Sequence, residues 1–363
     1  MTPALNAQAY GSALNPGPVT NFSELFSVAL NGNVTTYPYN AATQGAPSAH
    51  EVQSSDGYLY GFFGTTAGLK FQRLDYKGNP TLLYTFPTNQ SFIDTVPFEG
   101  LDGAFYGLIL MNNTADAGIF RLTKSGSFSW VIPSFATGGV NYGIELIQAS
   151  NGNFYGTLPA GGSAGAGSIY EVTPSGQMTT LYEFSDVNLG IPETLIEADD
   201  GMLWGTARGR FNTGFNGYSS IFRLNPDSGA FQTIYKMKNG GVTGACECWM
   251  IQGSDGNFYG TTENEGTYQG GTIFQLDAGL PPPKPHIASF GPTVGSVGQK
   301  VLLWGSNLLG ATAVDFNGTP ASAFVVASSQ GIWADVPSGA TSGPITVTTP
   351  NGTFTTKQNF TLQ

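Results

Sequence analysis

Positive charge is scarce in this sequence. Lys and Arg number 13 against 24 Asp and Glu, so the formal net charge is −11 at pH 7, and only 10% of the 363 residues are charged. Such a surface repels phosphate backbones and anionic lipid, so we expect no nucleic-acid partner. The sequence also lacks a run of 18 apolar residues, so we expect no membrane insertion.

Cysteine and histidine are nearly absent, with two residues of each. Two cysteines can form one disulfide at most, which cannot stabilise a chain of this length, so the apolar core must stabilise the fold. The sequence contains neither the Gly-x-x-x-x-Gly-Lys-Ser/Thr phosphate loop nor the His-Glu-x-x-His zinc motif. Two common routes to nucleotide and metalloprotease chemistry are therefore excluded.

Glycine, proline and aromatic residues are abundant instead. The chain has 51 Gly and 22 Pro, and Phe, Tyr and Trp make up 13% of it. The apolar content is ample for a core, which argues against general disorder. Glycine shows no three-residue period, so a collagen-like fold is excluded. A turn-rich, all-β protein is the fold class that remains.

A seven-residue motif recurs along the chain. It reads Asp-Gly-Asn-Phe-Tyr-Gly-Thr at 255–261, Asn-Gly-Asn-Phe-Tyr-Gly-Thr at 151–157 and Asp-Gly-Met-Leu-Trp-Gly-Thr at 200–206, with related copies at 102–107, 56–61 and 6–12. The second aromatic residue of the motif falls at positions 10, 60, 106, 155, 204 and 259. Near-even spacing of this kind indicates a repeat architecture.

Each full repeat reads as four short strands of period two. Asp-Gly or Asn-Gly predicts a tight turn between the first two strands, and Pro-Ser-Gly or Lys-Ser-Gly predicts one between the last two. Four antiparallel strands per unit of 40 to 50 residues are typical of a β-propeller. We therefore predict a β-propeller over residues 1–278, with six blades preferred and five as the alternative.

The motif resembles that of the GloVer tandem-repeat proteins, a bacterial family with an Asp-Gly-Asn-Phe-Tyr-Gly-Thr core. The resemblance covers roughly residues 6–277. It implies a secreted repeat domain, and it brings no established catalytic residues to transfer to this chain.

A different pattern follows the repeats. Residues 279–285 are rich in proline and predict a stiff linker. Residues 286–363 alternate apolar strands with turns, as in Val301-Leu302-Leu303-Trp304-Gly305 and Ile345-Thr346-Val347-Thr348. This pattern is typical of a β-sandwich, and the segment resembles an IPT/TIG domain with an immunoglobulin-like fold. In bacterial secreted proteins that family implies a spacer or binding accessory.

Acidic residues lead into the predicted first strands. They include Asp94, Glu145, Glu193 and Glu247, and His50 has the corresponding place in an earlier repeat. Paired carboxylates there could act on a glycosidic bond or bind calcium, or they could be solvated loop acids. No resident cofactor is predicted apart from that calcium alternative, and whether the chain is an enzyme stays open.

Two further groups are candidates for ligand binding. Cys246 and Cys248 could close a small disulfide, while a metal site is not predicted, and Trp249 beside them could stack on a sugar or lie in the core. The longer loops carry residues suited to an oligosaccharide, whose hydroxyls and flat apolar faces need polar and aromatic partners: Arg208, Arg210, Glu263, Glu265 and Tyr268. Packing of the loops against neighbouring blades is the alternative for these side chains.

These observations favour a secreted or cell-envelope binding protein. We expect it to be a monomer that recognises a carbohydrate or a cell-surface partner through the loop rim of the propeller. The alternative is a glycoside hydrolase or another polysaccharide-cleaving enzyme that uses the carboxylates, and a purely structural role is the third hypothesis.

Overall fold

The computed structural model describes most of the chain. The residues described are 8–15, 22–29, 34–37, 46–47, 51–54, 56, 58–65, 68–75, 78–88, 90–92, 96–111, 116–137, 145–185, 191–208, 219–237, 250–262, 271–328 and 330–363. They form two compact units. The first unit takes residues 1–85, 101–103 and 282–363, and the second takes residues 86–100 and 104–281.

The first unit begins with eight strands. They lie at Gln8–Asn15 (β1), Phe22–Ala29 (β2), Val34–Tyr37 (β3), Ala46–Pro47 (β4), Val52–Gln53 (β5), Leu59–Thr65 (β6), Gly68–Leu74 (β7) and Pro80–Thr85 (β8). Sheet 1 has the order β1-β2-β3, and sheet 2 has the order β4-β6-β7-β8 with β5 also paired to β6. All of these pairs are antiparallel.

The second unit contains sixteen strands. They lie at Gln90–Phe92 (β9), Phe98–Glu99 (β10), Phe105–Met111 (β11), Asp116–Leu122 (β12), Phe128–Ala136 (β13), Leu146–Gln148 (β14), Phe154–Leu158 (β15), Ser168–Val172 (β16), Met178–Glu183 (β17), Ile191–Glu197 (β18), Leu203–Arg208 (β19), Ser220–Leu224 (β20), Phe231–Lys236 (β21), Met250–Gln252 (β22), Phe258–Thr262 (β23) and Thr272–Leu276 (β24). They form sheet 3 (β10-β11-β12-β13, with β9 on β11), sheet 4 (β14-β15-β16-β17), sheet 5 (β18-β19-β20-β21) and sheet 6 (β22-β23-β24).

The C-terminal strands build a sandwich in the first unit. They lie at His286–Gly291 (β25), Val294–Gly295 (β26), Lys300–Ser306 (β27), Ala313–Phe316 (β28), Thr319–Pro320 (β29), Phe324–Val326 (β30), Gly331–Asp335 (β31), Gly343–Thr349 (β32) and Gly352–Leu362 (β33). One sheet has the order β25-β27-β31-β30 and the other β26-β33-β32-β28-β29. Alternate residues of both sheets, such as Val301, Ile332 and Val347, meet in one core.

The all-β fold class is confirmed. The described residues contain no helix, and in the repeat region they form one small antiparallel sheet for each sequence unit. Sheets 4 and 5 have the four consecutive strands predicted, and sheet 6 ends after three, as its sequence indicates. The propeller-type repeat fold and the terminal sandwich therefore agree with the sequence, whereas the blade number and domain boundaries stay predictions.

Hydrogen bonds inside the motif explain its first and fifth residues. The hydroxyl of Tyr259 donates to Asp255 at 2.6 Å, and the side chain of Asn151 donates to the Tyr155 hydroxyl at 2.8 Å. The same Asp or Asn also accepts from the backbone N–H two residues later. The following glycines, Gly152 and Gly256, have φ near +90°, which suits a turn that other residues form only with strain. These acids are turn formers, as the sequence predicts.

The motif's second glycine lies opposite an aromatic ring. Gly156 pairs with Tyr170 across β15 and β16, and Gly205 pairs with Phe222 across β19 and β20. A Cβ added to either glycine would collide with the partner's ring. The ring lies on the bare backbone, so this glycine is required by packing.

The core of the second unit lies between consecutive sheets. Phe154 packs towards sheet 3 with Tyr106 and Leu108, whereas its neighbour Tyr155 packs towards sheet 5 with Leu203. Trp204 continues the series by stacking on Phe258 of sheet 6, with ring centroids 4.4 Å apart. Because successive strand residues point to opposite faces, the two large apolar residues of the motifs in sheets 4 and 5 each join three sheets.

Replacing Gly156 by Ala tests this packing. We expect the free energy of unfolding to fall by about 2–3 kcal/mol, since the new methyl group collides with the Tyr170 ring and with the backbone carbonyl of Glu145. Chemical denaturation measures the change. Gly152→Ala is the control, because it strains a positive φ but meets no atom within 4 Å, and its cost should be about 1 kcal/mol. Equal losses in both variants would contradict the packing role.

Candidate functional site

An ion pair lies buried at the start of sheet 5. Glu193 sits in β18 where its pairing with β19 shifts register between Pro192 and Leu195. Such a β-bulge redirects side chains, and here the Glu193 carboxylate meets the Nε of Arg208, the last residue of β19, at 2.7 Å. The side chains of Glu193 and Arg208 are only 9% and 14% exposed.

Two buried threonines continue the polar cluster. The Thr194 and Thr206 hydroxyls share a hydrogen bond of 2.8 Å between β18 and β19. Both residues are buried. The start of sheet 5 therefore holds an acid, a guanidinium and two hydroxyls within an otherwise apolar repeat.

In sheet 4, Glu145 lies at the position that Thr194 has in sheet 5. It stands six residues before the first residue of its motif, as Thr194 does in sheet 5. Its backbone N–H donates to the Thr157 hydroxyl at 2.9 Å, and its carbonyl accepts from the Thr157 N–H at 3.2 Å. Burial raises the pKa of the Glu145 carboxyl to about 8, opposed by a hydrogen bond from the backbone of Leu146. At neutral pH this acid is mostly protonated.

Tyr170 lies beside Glu145 and is fully buried. Burial raises the pKa of its hydroxyl well above the usual value, and the charge of Glu145 adds to the shift. The hydroxyl has no hydrogen-bond partner among the described residues. Phe120 and Phe222 occupy the same register in sheets 3 and 5, so the repeat does not require this polar atom.

Sheet 3 lacks these charges. Sheet 3 has Val96 at the position of Glu145, and it has Leu110 at the position of Arg208. Buried ionisable groups reduce stability unless they are paired, so a fold that forms without them has no structural need for them. Burial, pairing and a shifted pKa together mark this end of sheets 4 and 5 as a candidate binding site.

The cluster has the chemistry of a polar recognition site. A guanidinium donates several hydrogen bonds in one plane, a carboxylate accepts, and a protonated carboxyl can do both. Sheets 4 and 5 are in contact, because β18 touches both β14 and β15. In the described part of the chain no group of three or more His, Cys, Asp or Glu is arranged to hold a metal ion.

Only some of the predicted site residues can be compared with the structure. Glu145, Glu193 and Arg208 are described, and they lie at the same end of neighbouring sheets. The remaining candidates lie outside the described residues: His50, Asp94, Arg210, Cys246, Glu247, Cys248, Trp249, Glu263, Glu265 and Tyr268. The roles predicted for all of these residues stay predictions.

Tyr170 and the two threonines were not among the predicted site residues. A signal for Tyr170 exists, because a hydroxyl replaces the plain ring of Phe120 and Phe222 at the matching position. No comparable signal shows that β18 carries a bulge, and it is the bulge that brings Glu193 to Arg208.

One serine has the spacing of a hydrolase nucleophile. Residues 161–165 read Gly-Gly-Ser-Ala-Gly, but they form an exposed loop between β15 and β16 with no helix after it. The Ser163 hydroxyl donates to the Glu183 carboxylate at 2.8 Å, and Glu183 also accepts from the Ser163 N–H. The strand–turn–helix context of a nucleophile elbow is missing here.

The fold and its sequence motifs define an all-β repeat protein with a terminal IPT/TIG sandwich. A family model for the Gloeobacter/Verrucomicrobia repeat matches residues 93–323, and one for the IPT/TIG domain matches residues 285–363. The chain belongs to the Gloeobacter/Verrucomicrobia repeat family. No curated protein matches it significantly.

Solved structures resemble the chain at low sequence identity. An oligogalacturonate lyase in complex with manganese is 12% identical, with a TM-score of 0.50 over 93% of this chain and 88% of that one. A protein from Lactobacillus plantarum is 12% identical, with a TM-score of 0.47 over 91% and 96%. TolB from Acinetobacter baumannii is 13% identical, with a TM-score of 0.44 over 76% and 64%. At this identity the likeness concerns the fold alone.

Repeat and IPT/TIG domains in one chain suggest a binding or interaction protein. No helix in the described part of the chain is long and apolar enough to cross a membrane.

Removing Arg208 tests whether the ion pair is buried. We expect Arg208→Met to lower the free energy of unfolding by about 3–5 kcal/mol, because it removes the guanidinium that pairs with the buried Glu193 carboxylate. The double variant Glu193→Gln/Arg208→Met should recover much of this loss. Denaturant unfolding measures both, and a loss below about 1 kcal/mol in the single variant would mean an exposed pair.

The pH dependence of stability tests the state of Glu145. With a pKa of about 8 in the folded chain and 4.5 as the ordinary value, the carboxyl is protonated when folded and ionised when unfolded at pH 5.5–7.5. Unfolding then releases a proton, so stability falls as pH rises, by about 1.4 kcal/mol per pH unit. Glu145→Gln should remove that part of the slope, measured as the difference between wild type and variant.

Proposed function

We propose that this chain is a secreted or cell-envelope binding protein that recognises carbohydrate, with a cell-surface glycan as its target. The proposed site is the end of sheets 4 and 5 that carries Glu145, Glu193 and Arg208. The single observation behind this proposal is the buried Glu193–Arg208 pair in a β-bulge, and the neighbouring sheet carries a second buried acid, Glu145, at the same end.

The polar groups of this site suit hydroxyl-rich ligands. Each sugar hydroxyl can donate and accept one hydrogen bond. The start of sheet 5 offers a guanidinium donor and a carboxylate acceptor, and the same end of sheet 4 offers a protonated carboxyl. The net charge of −11 disfavours polyanionic glycans, so neutral or basic sugars fit best. Calcium bound by the loop acids is an optional part of this proposal, and the assay below is therefore run with and without calcium.

The IPT/TIG domain fits this role as an accessory. Domains of this family often mediate protein interactions, and it is joined to the repeats by the proline-rich segment. We propose that it spaces the repeat domain from its attachment point or adds a second contact. Secretion is proposed on composition and on the bacterial repeat family.

Hydrolysis of a glycosidic bond is the second candidate function, and one observation favours it. Glu145 is protonated near neutral pH, as a general acid requires, and a second acid, Glu193, forms an ion pair with Arg208 at the same end of the neighbouring sheet. A protonated carboxyl group together with a second acid is the arrangement that retaining and inverting glycosidases share.

A glycan array followed by calorimetry on the full-length chain tests the binding function. We expect saturable binding of a neutral or basic oligosaccharide, with and without added calcium. The variants Glu193→Gln and Arg208→Gln should each weaken binding by about tenfold or more, because each removes a charge-assisted hydrogen bond.

Asp227→Asn is the matched control. Asp227 lies exposed in the turn between β20 and β21, and its replacement changes the net charge as Glu193→Gln does but should leave the affinity unchanged. A reducing-sugar assay on the same ligands separates the two functions. Release of sugar that Glu145→Gln abolishes would replace the binding proposal by hydrolysis, and absence of any glycan binding would refute both.

A further inference from the structure

Sheet 6 has an open edge with a cavity beside it. Among the described residues no strand pairs with the outer side of β24, whereas β16 and β20 each pair with a fourth strand. A cavity of about 330 Å³ lies between sheets 5 and 6. Its apolar lining comes from Ile221, Tyr235, Met237, Phe274 and Leu276, with Thr262, Thr272 and Gln275 completing it.

The preceding sheets show what fills the matching place. Phe231 on the fourth strand of sheet 5 stacks on Tyr182 of sheet 4, with ring centroids 3.9 Å apart and planes 7° apart. It also packs edge-on against Phe184 at 5.3 Å. Phe128 packs on Phe86 in the same manner at 5.7 Å. The fourth strands of sheets 3 and 5 therefore each begin with a phenylalanine that packs on other aromatic rings, whereas the fourth strand of sheet 4 begins with Met178.

Sheet 6 lacks the ring that would complete this series. Tyr235 and Met237 of sheet 5 correspond to Tyr182 and Phe184 of sheet 4, and they face the cavity. Tyr235 is 49% exposed. The cavity thus marks the position at which a counterpart of Phe231 would lie.

The open edge of β24 also has backbone groups available for hydrogen bonding. The N–H of Thr272 donates to the Thr262 hydroxyl on the β23 side. Since antiparallel strands direct alternate residues to opposite neighbours, Ile273 and Gln275 direct their N–H and C=O groups to the open side. The side chain of Gln275 is exposed there.

The sequence of β24 is nearly that of β20. Thr-Ile-Phe-Gln-Leu at 272–276 differs at two positions from Ser-Ile-Phe-Arg-Leu at 220–224. The segment that contains β21, the partner of β20, reads Phe-Gln-Thr-Ile-Tyr-Lys-Met at 231–237. The corresponding segment of sheet 4 reads Met-Thr-Thr-Leu-Tyr-Glu-Phe at 178–184. The two fourth strands share apolar residues at their first, fourth, fifth and seventh positions.

We propose that the open edge of β24 binds an extended segment of a separate protein, which adds as a fourth strand and places an aromatic side chain into the cavity against Tyr235. The main chain of that segment pairs with Ile273 and Gln275, and its apolar residues follow the spacing of the fourth strands. Strand addition at an exposed edge is an established mode of peptide recognition.

The chemistry of this site differs from that of the carbohydrate site. The cavity is lined mainly by aliphatic and aromatic side chains, and a strand edge recognises a peptide backbone. A second copy of this chain is the competing occupant, and the measurements below separate the two.

Fluorescence polarisation with a labelled peptide of sequence Phe-Gln-Thr-Ile-Tyr-Lys-Met, extended by charged residues for solubility, tests the proposal on the full chain. We expect saturable binding. A peptide with Phe231→Ser should bind at least about tenfold more weakly, because it loses the ring that stacks on Tyr235. In the protein, Gln275→Pro should weaken binding by a similar factor, because it removes an edge N–H.

Gln275→Ala is the matched comparison, because it removes the same side chain but keeps the N–H, and it should bind at least about tenfold more tightly than Gln275→Pro. Near-UV circular dichroism checks that Gln275→Pro is folded. Absence of saturable binding, or equal affinity of Gln275→Pro and Gln275→Ala, would overturn the proposal. Sedimentation that shows a dimer of the wild-type chain, dissociated by Gln275→Pro, would assign the edge to a second copy and would also overturn it.

Discussion

The close contact of an aromatic ring with a glycine backbone is the constraint on which the repeat region depends. Each sheet has three to five short strands and is too small to enclose a core of its own. The glycine removes the side chain that would hold the next strand's ring away, as Gly156 does for Tyr170. Adjacent motif residues then point to opposite faces, so that sheets 4 and 5 each supply core to both neighbours.

Because the motif residues supply the core, the residues at the ends of the strands are free to vary. The motif uses one end of each sheet for the Asp-Gly turn, whose carboxylate is engaged by its own backbone and aromatic residue. The opposite end has no such fixed requirement, and there the chain places Val96, Glu145 and Thr194 at equivalent positions. A scaffold that keeps its core apart from these positions can hold buried charge at one pair of sheets without altering the others.

The fold could be predicted largely because its signals are local. Turn residues, strand period and repeat spacing lie within a few positions of one another, so the strands of sheets 4 and 5 and the role of Asp255 were accessible from the sequence. The pairing of Glu193 with Arg208 depends on a register shift in β18, and no residue type in that segment specifies the shift. Carboxylates could be identified as candidates, but their partners and ionisation states required the geometry.

Each of the two proposed sites is a place where a repeat differs from its neighbours. At the start of sheets 4 and 5 the repeat carries groups that its packing does not need, and the excess is polar. At the edge of sheet 6 the repeat lacks a strand that its packing does use elsewhere, and the deficit is apolar. Polar side chains held in place by buried charge suit a ligand with many hydroxyls. An apolar cavity bordered by the backbone groups of a strand edge suits a polypeptide. Binding at one site therefore gives no reason to expect the same ligand at the other.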